Sequence, residues 1–222
     1  MSADLIRQQL ADAREELGAA AKALAPKHVG GEWTRYDAAA AACIALERSL
    51  SRELGEECAV RIPWQPLWDI GAPLPHVVAS DNTTLLIYLA SQRDAEWDGT
   101  SARVMDPASD ASEPLALVSF DRCISHRFGA PNNEVLAGHP LNGKGLEPYA
   151  AHIVERSSWI AQLQAINSVH TRYDPSRWTA FRHFLLAFHD NMFEAVAVGF
   201  SVEVVRCSFS EALKECVQRV VG

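Results

Sequence analysis

No stretch of this 222-residue sequence stays apolar for the roughly 20 residues that a membrane-spanning helix requires. The longest nearly apolar runs, "TTLLIYLA" and "AVAVGF", fall far short. The first residues, "MSADLIRQQLADAREELG", carry acids from Asp4 onward and no apolar h-region, so no signal peptide is expected there. The expectation is a soluble, cytoplasmic protein. No cluster of Lys and Arg occurs either. The net charge is −8, residues 81–113 hold seven acids against two bases, and residues from 114 onward hold ten of each. Neutralising phosphates takes several clustered cations, so neither nucleic acid nor an anionic membrane surface is an expected partner. The five cysteines (Cys43, Cys58, Cys123, Cys207 and Cys216) are odd in number and show no C-x-x-C spacing. A disulfide framework or a cysteine zinc site is therefore not suggested, and reduced, mostly buried thiols are. There is no H-E-x-x-H or H-x-H, no G-x-S-x-G elbow, no internal repeat, and "NGKGLEP" lacks the strand and helix that frame a phosphate loop.

What is present describes an ordinary globular chain, 48% hydrophobic and 22% charged, with enough material for one large domain or a domain with an appendage. Ala3, Ile6, Leu10, Ala13, Leu17, Ala20 and Leu24 alternate spacings of three and four and line one helix face. Pro26 ends that helix, and "PKHVGGEW" reads as a turn. A second helix is expected from Thr34, with Asp37 in capping-box position and an apolar face running from Tyr36 to Leu54 before Gly55. Residues 1–57 thus form an antiparallel helical hairpin appended to a β-rich body, residues 58–222. "RIPWQPLWDIGAPLPH" reads as an extended connector whose tryptophans cover apolar surface. "HVVAS", "TTLLIYLAS", "ARVM" and "PLALVSFDRC" read as strands, with "SDNT" and "WDGT" as turns and "DPASDASE" as an exposed acidic loop. Residues 125–148 read as a long loop, "YAAHIVE" as a strand, and a helix capped by Ser157 or Ser158 runs to about Asn167. "RHFLLAFH" and "FEAVAVGFSVEVV" pair as strands, and a helix with a Ser208–Glu211 capping box closes the chain. The fold class is α+β: an antiparallel sheet or sandwich with peripheral helices behind a helical hairpin.

The chemistry-bearing residues concentrate in "RHFLLAFHDNMFEAVAVGF", where polar groups interrupt an apolar run. Strand alternation puts His183, Leu185, Ala187 and His189 on one face. With Asp190 and Asn191 as a two-residue turn, His189 sits opposite Met192 and diagonal to Glu194, within side-chain reach. A three-residue turn would bring Phe193 there instead. A carboxylate beside an imidazole fixes its tautomer for acid–base work, and it also satisfies two polar groups at the wet end of a hairpin. From the loop, His126 and Arg127 at a strand end and His139 between a glycine and a proline are candidate partners. Arg127 would clamp a carboxylate or phosphate, or pin the loop through Glu134 or Glu147. Asn132 belongs to an Asx-type turn, Asp190 to the hairpin end, and Asp69 beside Trp68 is either a ligand contact or a loop cap. His183, His189 and Glu194 are ligand types that suit zinc, or iron held by two histidines and a carboxylate. No motif requires a cofactor.

Taken together, "WDIGAPLPH", "RFGAPNNEV", "GHPL" and "FHDNMFEA" resemble stretches of a family of uncharacterised bacterial proteins. The resemblance spans roughly residues 60–200. It implies a self-contained body with a more variable hairpin in front, and carries no activity, cofactor or catalytic residue. Two functions remain open on residue chemistry. One is a pocket for a small polar or anionic molecule, with acid–base or metal-assisted hydrolytic chemistry by His189, Glu194 and His139. The other is an interaction module forming a homo-oligomer through residues 1–57.

Overall fold

The computed structural model describes residues 2–24, 30–81, 83–91 and 106–222. The expected strand "ARVM" and turn "WDGT", the first part of "PKHVGGEW" and Asn82 of "SDNT" lie outside them. Two antiparallel sheets pack face to face. One holds five strands, β1 (Cys58–Arg61), β6 (Ala151–Glu155), β7 (Arg182–Ala187), β8 (Met192–Ala197) and β5 (Ser125–Gly129), in that spatial order. The other holds β2 (His76–Ala79), β3 (Thr84–Leu89), β4 (Glu113–Asp121) and β9 (Gly199–Cys207). Alternation along the strands divides the side chains between an inner and an outer face. Leu86, Tyr88, Val118 and Phe120 meet Phe184, Leu186, Phe188 and Phe193 between the sheets. This is an α+β sandwich, as the sequence pattern predicts.

The connector after β1 closes one side of the sandwich. Trp64 and Trp68 are buried in the inter-sheet core, and the Tyr88 hydroxyl accepts from Trp64 Nε1 at 2.9 Å while donating to the Pro66 carbonyl at 2.7 Å. Helix α4 (Phe209–Val221) covers the outer face of the four-stranded sheet with Phe209, Ala212 and Cys216, and its Ser208–Glu211 capping box is formed in both directions. Helices α1 (Ala3–Leu24) and α2 (Gly30–Leu54) make the expected hairpin.

Three expectations on local structure need correction. Helix α2 begins at Gly30 rather than Thr34, so its two glycines are helical. The run "FEAVAVGFSVEVV" is two strands. It breaks at Val198, whose amide donates to the Asp121 carbonyl, and the chain there leaves the five-stranded sheet for the four-stranded one. Residues 125–129 are an edge strand rather than loop, with Arg127 opposite Glu194.

Candidate functional site

The outer face of the five-stranded sheet carries Ala59, Val154, Leu185, Ala187 and Met192, which Leu136, Leu141 and Leu146 of the segment between β5 and β6 cover. Polar groups interrupt this apolar surface. On β7 and β8, Leu185 faces Glu194 and Ala187 faces Met192. Glu194 is therefore diagonal to His183, and its Oε2 lies 2.8 Å from His183 Nε2.

This overturns the pairing of Glu194 with His189. The turn comprises His189 and Asp190, closed by the Phe188 amide donating to the Asn191 carbonyl at 2.9 Å. It sits one position earlier than the expected Asp190–Asn191. Burial of Phe188, only 1% exposed, keeps that residue in the inner layer and leaves the more polar His-Asp pair at the tip. His189 Nδ1 is 2.8 Å from Asp190 Oδ1, and its ring lies near Tyr149.

His183 makes a second contact. Its Nδ1 is 2.8 Å from Ser157 Oγ, the cap of helix α3 (Ser158–Asn167), which also accepts the Ile160 amide at 3.2 Å. Burial alone pushes the Glu194 carboxyl up. The hydrogen bond and charge of His183, with Arg127 and His139 adding to them, outweigh burial and hold it below the ordinary carboxylate range. An ionised Glu194 accepts from Nε2–H. In the neutral imidazole Nδ1 is then the acceptor, and the Ser157 hydroxyl donates to it. Ser157 and His183 are buried, while the Glu194 side chain is 15% exposed.

Arg127 forms the solvent side of the cluster. Its guanidinium lies over the Trp159 ring at 4.0 Å from the centroid, and its Nη1 is 4.0 Å from Glu194 Oε1, too far for a hydrogen bond. The ring of Trp159 also meets His183 edge-on at 5.1 Å. The site thus orients a guanidinium, 56% exposed, without consuming its donors among the described residues. His139 follows the short 3-10 helix Asn133–Gly138, and its Nδ1 accepts from the Leu141 amide at 3.1 Å. Burial, first among the causes, pushes the pKa of His139 down, and the charges of Glu194 and Glu57 partly oppose it.

The other sequence candidates are placed elsewhere. His126 is exposed on the edge strand, its ring stacked at 6.4 Å from Phe193. Asn132 caps the 3-10 helix by accepting from the Val135 amide. Asp69 is a loop cap that accepts from the amides of Gly71 and Ala72. Trp68 belongs to the core and lines a cavity of about 430 Å³ together with Arg61, Trp64 and Tyr149; no member of the His183 cluster lines it. Glu147 takes Arg48 and Arg61 rather than Arg127. Among the described residues no group of three His, Cys, Asp or Glu side chains is arranged to hold a metal ion, and His189, paired with Asp190, does not join His183 and Glu194. Ser157 and Trp159 were not nominated from sequence as site residues. Only the capping role of Ser157 is visible there, because 26 residues separate it from His183. Compared with protein-family models, curated proteins and solved structures, the chain matches none of them.

Proposed function

We propose that the protein binds a small anionic molecule, a carboxylate or a phosphate, at Arg127, and transfers a proton to or from it through the His183–Glu194 pair. The observation that carries this reading is the 2.8 Å contact between His183 Nε2 and Glu194 Oε2 beside a stacked guanidinium whose donors have no hydrogen-bond acceptor among the described residues. A guanidinium fixed over an indole ring loses less rotamer freedom on binding, and it grips a planar anion with two parallel N–H donors. An anion held there partly neutralises Arg127 and makes the imidazole a better base. Burial lowers the pKa of His139, which weakens its positive charge beside the site.

The test is an NMR titration with succinate and with inorganic phosphate, following the His183 ring and the Trp159 indole N–H. Both signals are expected to shift saturably. Arg127→Ala is expected to abolish the shifts, and its melting temperature should stay near wild type, since an exposed 4.0 Å ion pair contributes less than about 1 kcal/mol. Shifts that persist in Arg127→Ala, or none in the wild type, overturn the assignment.

A second reading, assembly of two copies through the helical hairpin, is favoured by Leu5, Trp33 and Leu54, each more than 40% exposed on α1 and α2. Sedimentation decides it. A wild-type dimer that becomes monomeric in the Leu5→Lys/Trp33→Lys double variant supports hairpin pairing, and an unchanged oligomer removes it.

A further inference from the structure

The geometry points to Ser157 as a nucleophile. We infer that it accepts an acyl group from small esters or thioesters whose acyl portion carries a second carboxylate, an inference that rests on the anion site at Arg127.

Three features converge on this hydroxyl. The Ser157 Oγ–His183 Nδ1 and His183 Nε2–Glu194 Oε2 contacts, both 2.8 Å, join hydroxyl, imidazole and carboxylate in one line. The imidazole is thus set to take the hydroxyl proton on one nitrogen while the carboxylate steadies the resulting imidazolium on the other. The two ring nitrogens have exchanged their more familiar partners, which leaves the proton path unchanged. Second, the chain reaches Ser157 by a tight strand-to-helix turn. Arg156, between β6 and the serine, has φ +53, a left-handed conformation that non-glycine residues seldom adopt. That turn sets Oγ at the N-terminal end of α3, where first-turn amides favour developing negative charge. Ser158 N is already taken by Glu57 Oε2 and Ile160 N by Ser157 Oγ itself. The Trp159 amide has no acceptor among the described residues and is the donor for the carbonyl oxygen. Third, the guanidinium over the Trp159 ring and 4.0 Å from Glu194 belongs to the same cluster, which supplies a carboxylate recogniser for the far end of the acyl group.

The step balances without a cofactor. Ser157 Oγ attacks the carbonyl carbon, and its proton passes to His183 Nδ1. The C–O or C–S bond to the leaving group then breaks, and the departing oxygen or sulfur takes that proton. Water repeats the sequence: its oxygen bonds to the acyl carbon, its proton goes to His183, and Ser157 leaves with the proton restored. The products are a dicarboxylic acid and an alcohol or thiol.

The experiment uses the full chain with mono-p-nitrophenyl succinate and p-nitrophenyl acetate, reading p-nitrophenol release and peptide mass. The expected result is a burst with succinylation at Ser157. The succinyl ester should react roughly tenfold faster than the acetyl ester, a preference lost in Arg127→Ala. Ser157→Ala removes the helix cap and destabilises α3; Ser157→Gly, which keeps the cap nearly as well, is the folded control and should give neither burst nor adduct. His183→Gln should slow acylation while leaving the hydroxyl in place. An adduct that persists in Ser157→Gly, or no adduct in the wild type, overturns the inference. If the NMR shifts with free succinate remain in that case, the anion site stands and only the nucleophile falls. If they vanish too, both readings fall.

Discussion

An imidazole sealed inside a sheet resists protonation, and His152 on β6 is such a group. It is 0% exposed, and its Nε2 accepts the Glu147 amide at 3.2 Å. Burial pushes its pKa down to about 4; Glu147 opposes the shift, and Arg48 and Arg61 add to it. Unfolded, the same side chain titrates near 6.5. Above 6.5 neither state binds the proton, and the full stability is present. As pH falls from 6.5 toward 4, the unfolded chain takes up a proton that the folded one refuses, so stability drops. The shift corresponds to roughly 3 kcal/mol over that window. Glu194 works in the same direction, but its contribution is lost only below the ordinary carboxylate value of 4.5, which leaves pH 6.5 to 5 to His152 and to His139, whose pKa burial also lowers. Urea unfolding across that range is expected to show the decline in the wild type and a shallower one in His152→Gln, the remainder belonging to His139. A variant with the wild-type slope would assign the decline to other groups.

Features fixed by neighbours within a few residues were legible at the scale of elements. The capping box of α4 and the stripe of α1 depend on spacings of three and four and match the sequence pattern, and of the two serines open as the α3 cap the structure uses Ser157. Strand alternation on β7 likewise put His183, Leu185 and Ala187 on one face. What alternation leaves open is where the turn falls. Moving a two-residue turn back by one position shifts the cross-strand register by two, which carries Glu194 from His189 to His183. The decision rests with Phe188 and the inter-sheet core, which is long-range information. Gly30 and Gly31 misled for a related reason: glycine is costly in a helix interior but tolerable in a first turn, so it marks no firm boundary there. The edge strand β5 is hidden by its composition, since Ser125, His126 and Arg127 carry no apolar alternation and Phe128 alone precedes Gly129. Of the cluster around His183, strand alternation supplies only the shared face on β7, while its members come from β5, β7, β8 and the start of α3, whose juxtaposition only the sheet order supplies.

For the molecule as a whole, the question is what holds a long helical hairpin against a sandwich. Arg48 of α2 makes the central link. Its Nε donates to the Ala59 carbonyl at 2.8 Å and its Nη2 to Gly145 O at 3.1 Å, and it pairs with Glu147, which Arg61 also reaches. One side chain thereby ties α2 to β1 and to the loop that covers the outer face. Gly145 makes room for it. Its φ is +87, and a Cβ there would lie 2.5 Å from Arg48 Cγ and 2.6 Å from the Ala59 carbonyl oxygen. Arg52 with Glu155 and Lys144 with Glu56 surround this link, but both pairs are substantially solvent-exposed and contribute little each. Removing Arg48 leaves the Ala59 and Gly145 carbonyls and one oxygen of Glu147 in a partly buried seam without that donor, at a cost of about 3 kcal/mol. Native-state hydrogen exchange separates loss of docking from loss of the fold. In Arg48→Ala the amides of α1 and α2 should exchange faster by the equivalent of that loss, while the β7 and β4 amides in the core stay close to wild type. Gly145→Ala should produce the same pattern from the opposite side of the contact. Equal acceleration of helices and core strands in both variants would mean that hairpin and sandwich open as one cooperative unit, and would rule out docking through Arg48 as a separable step.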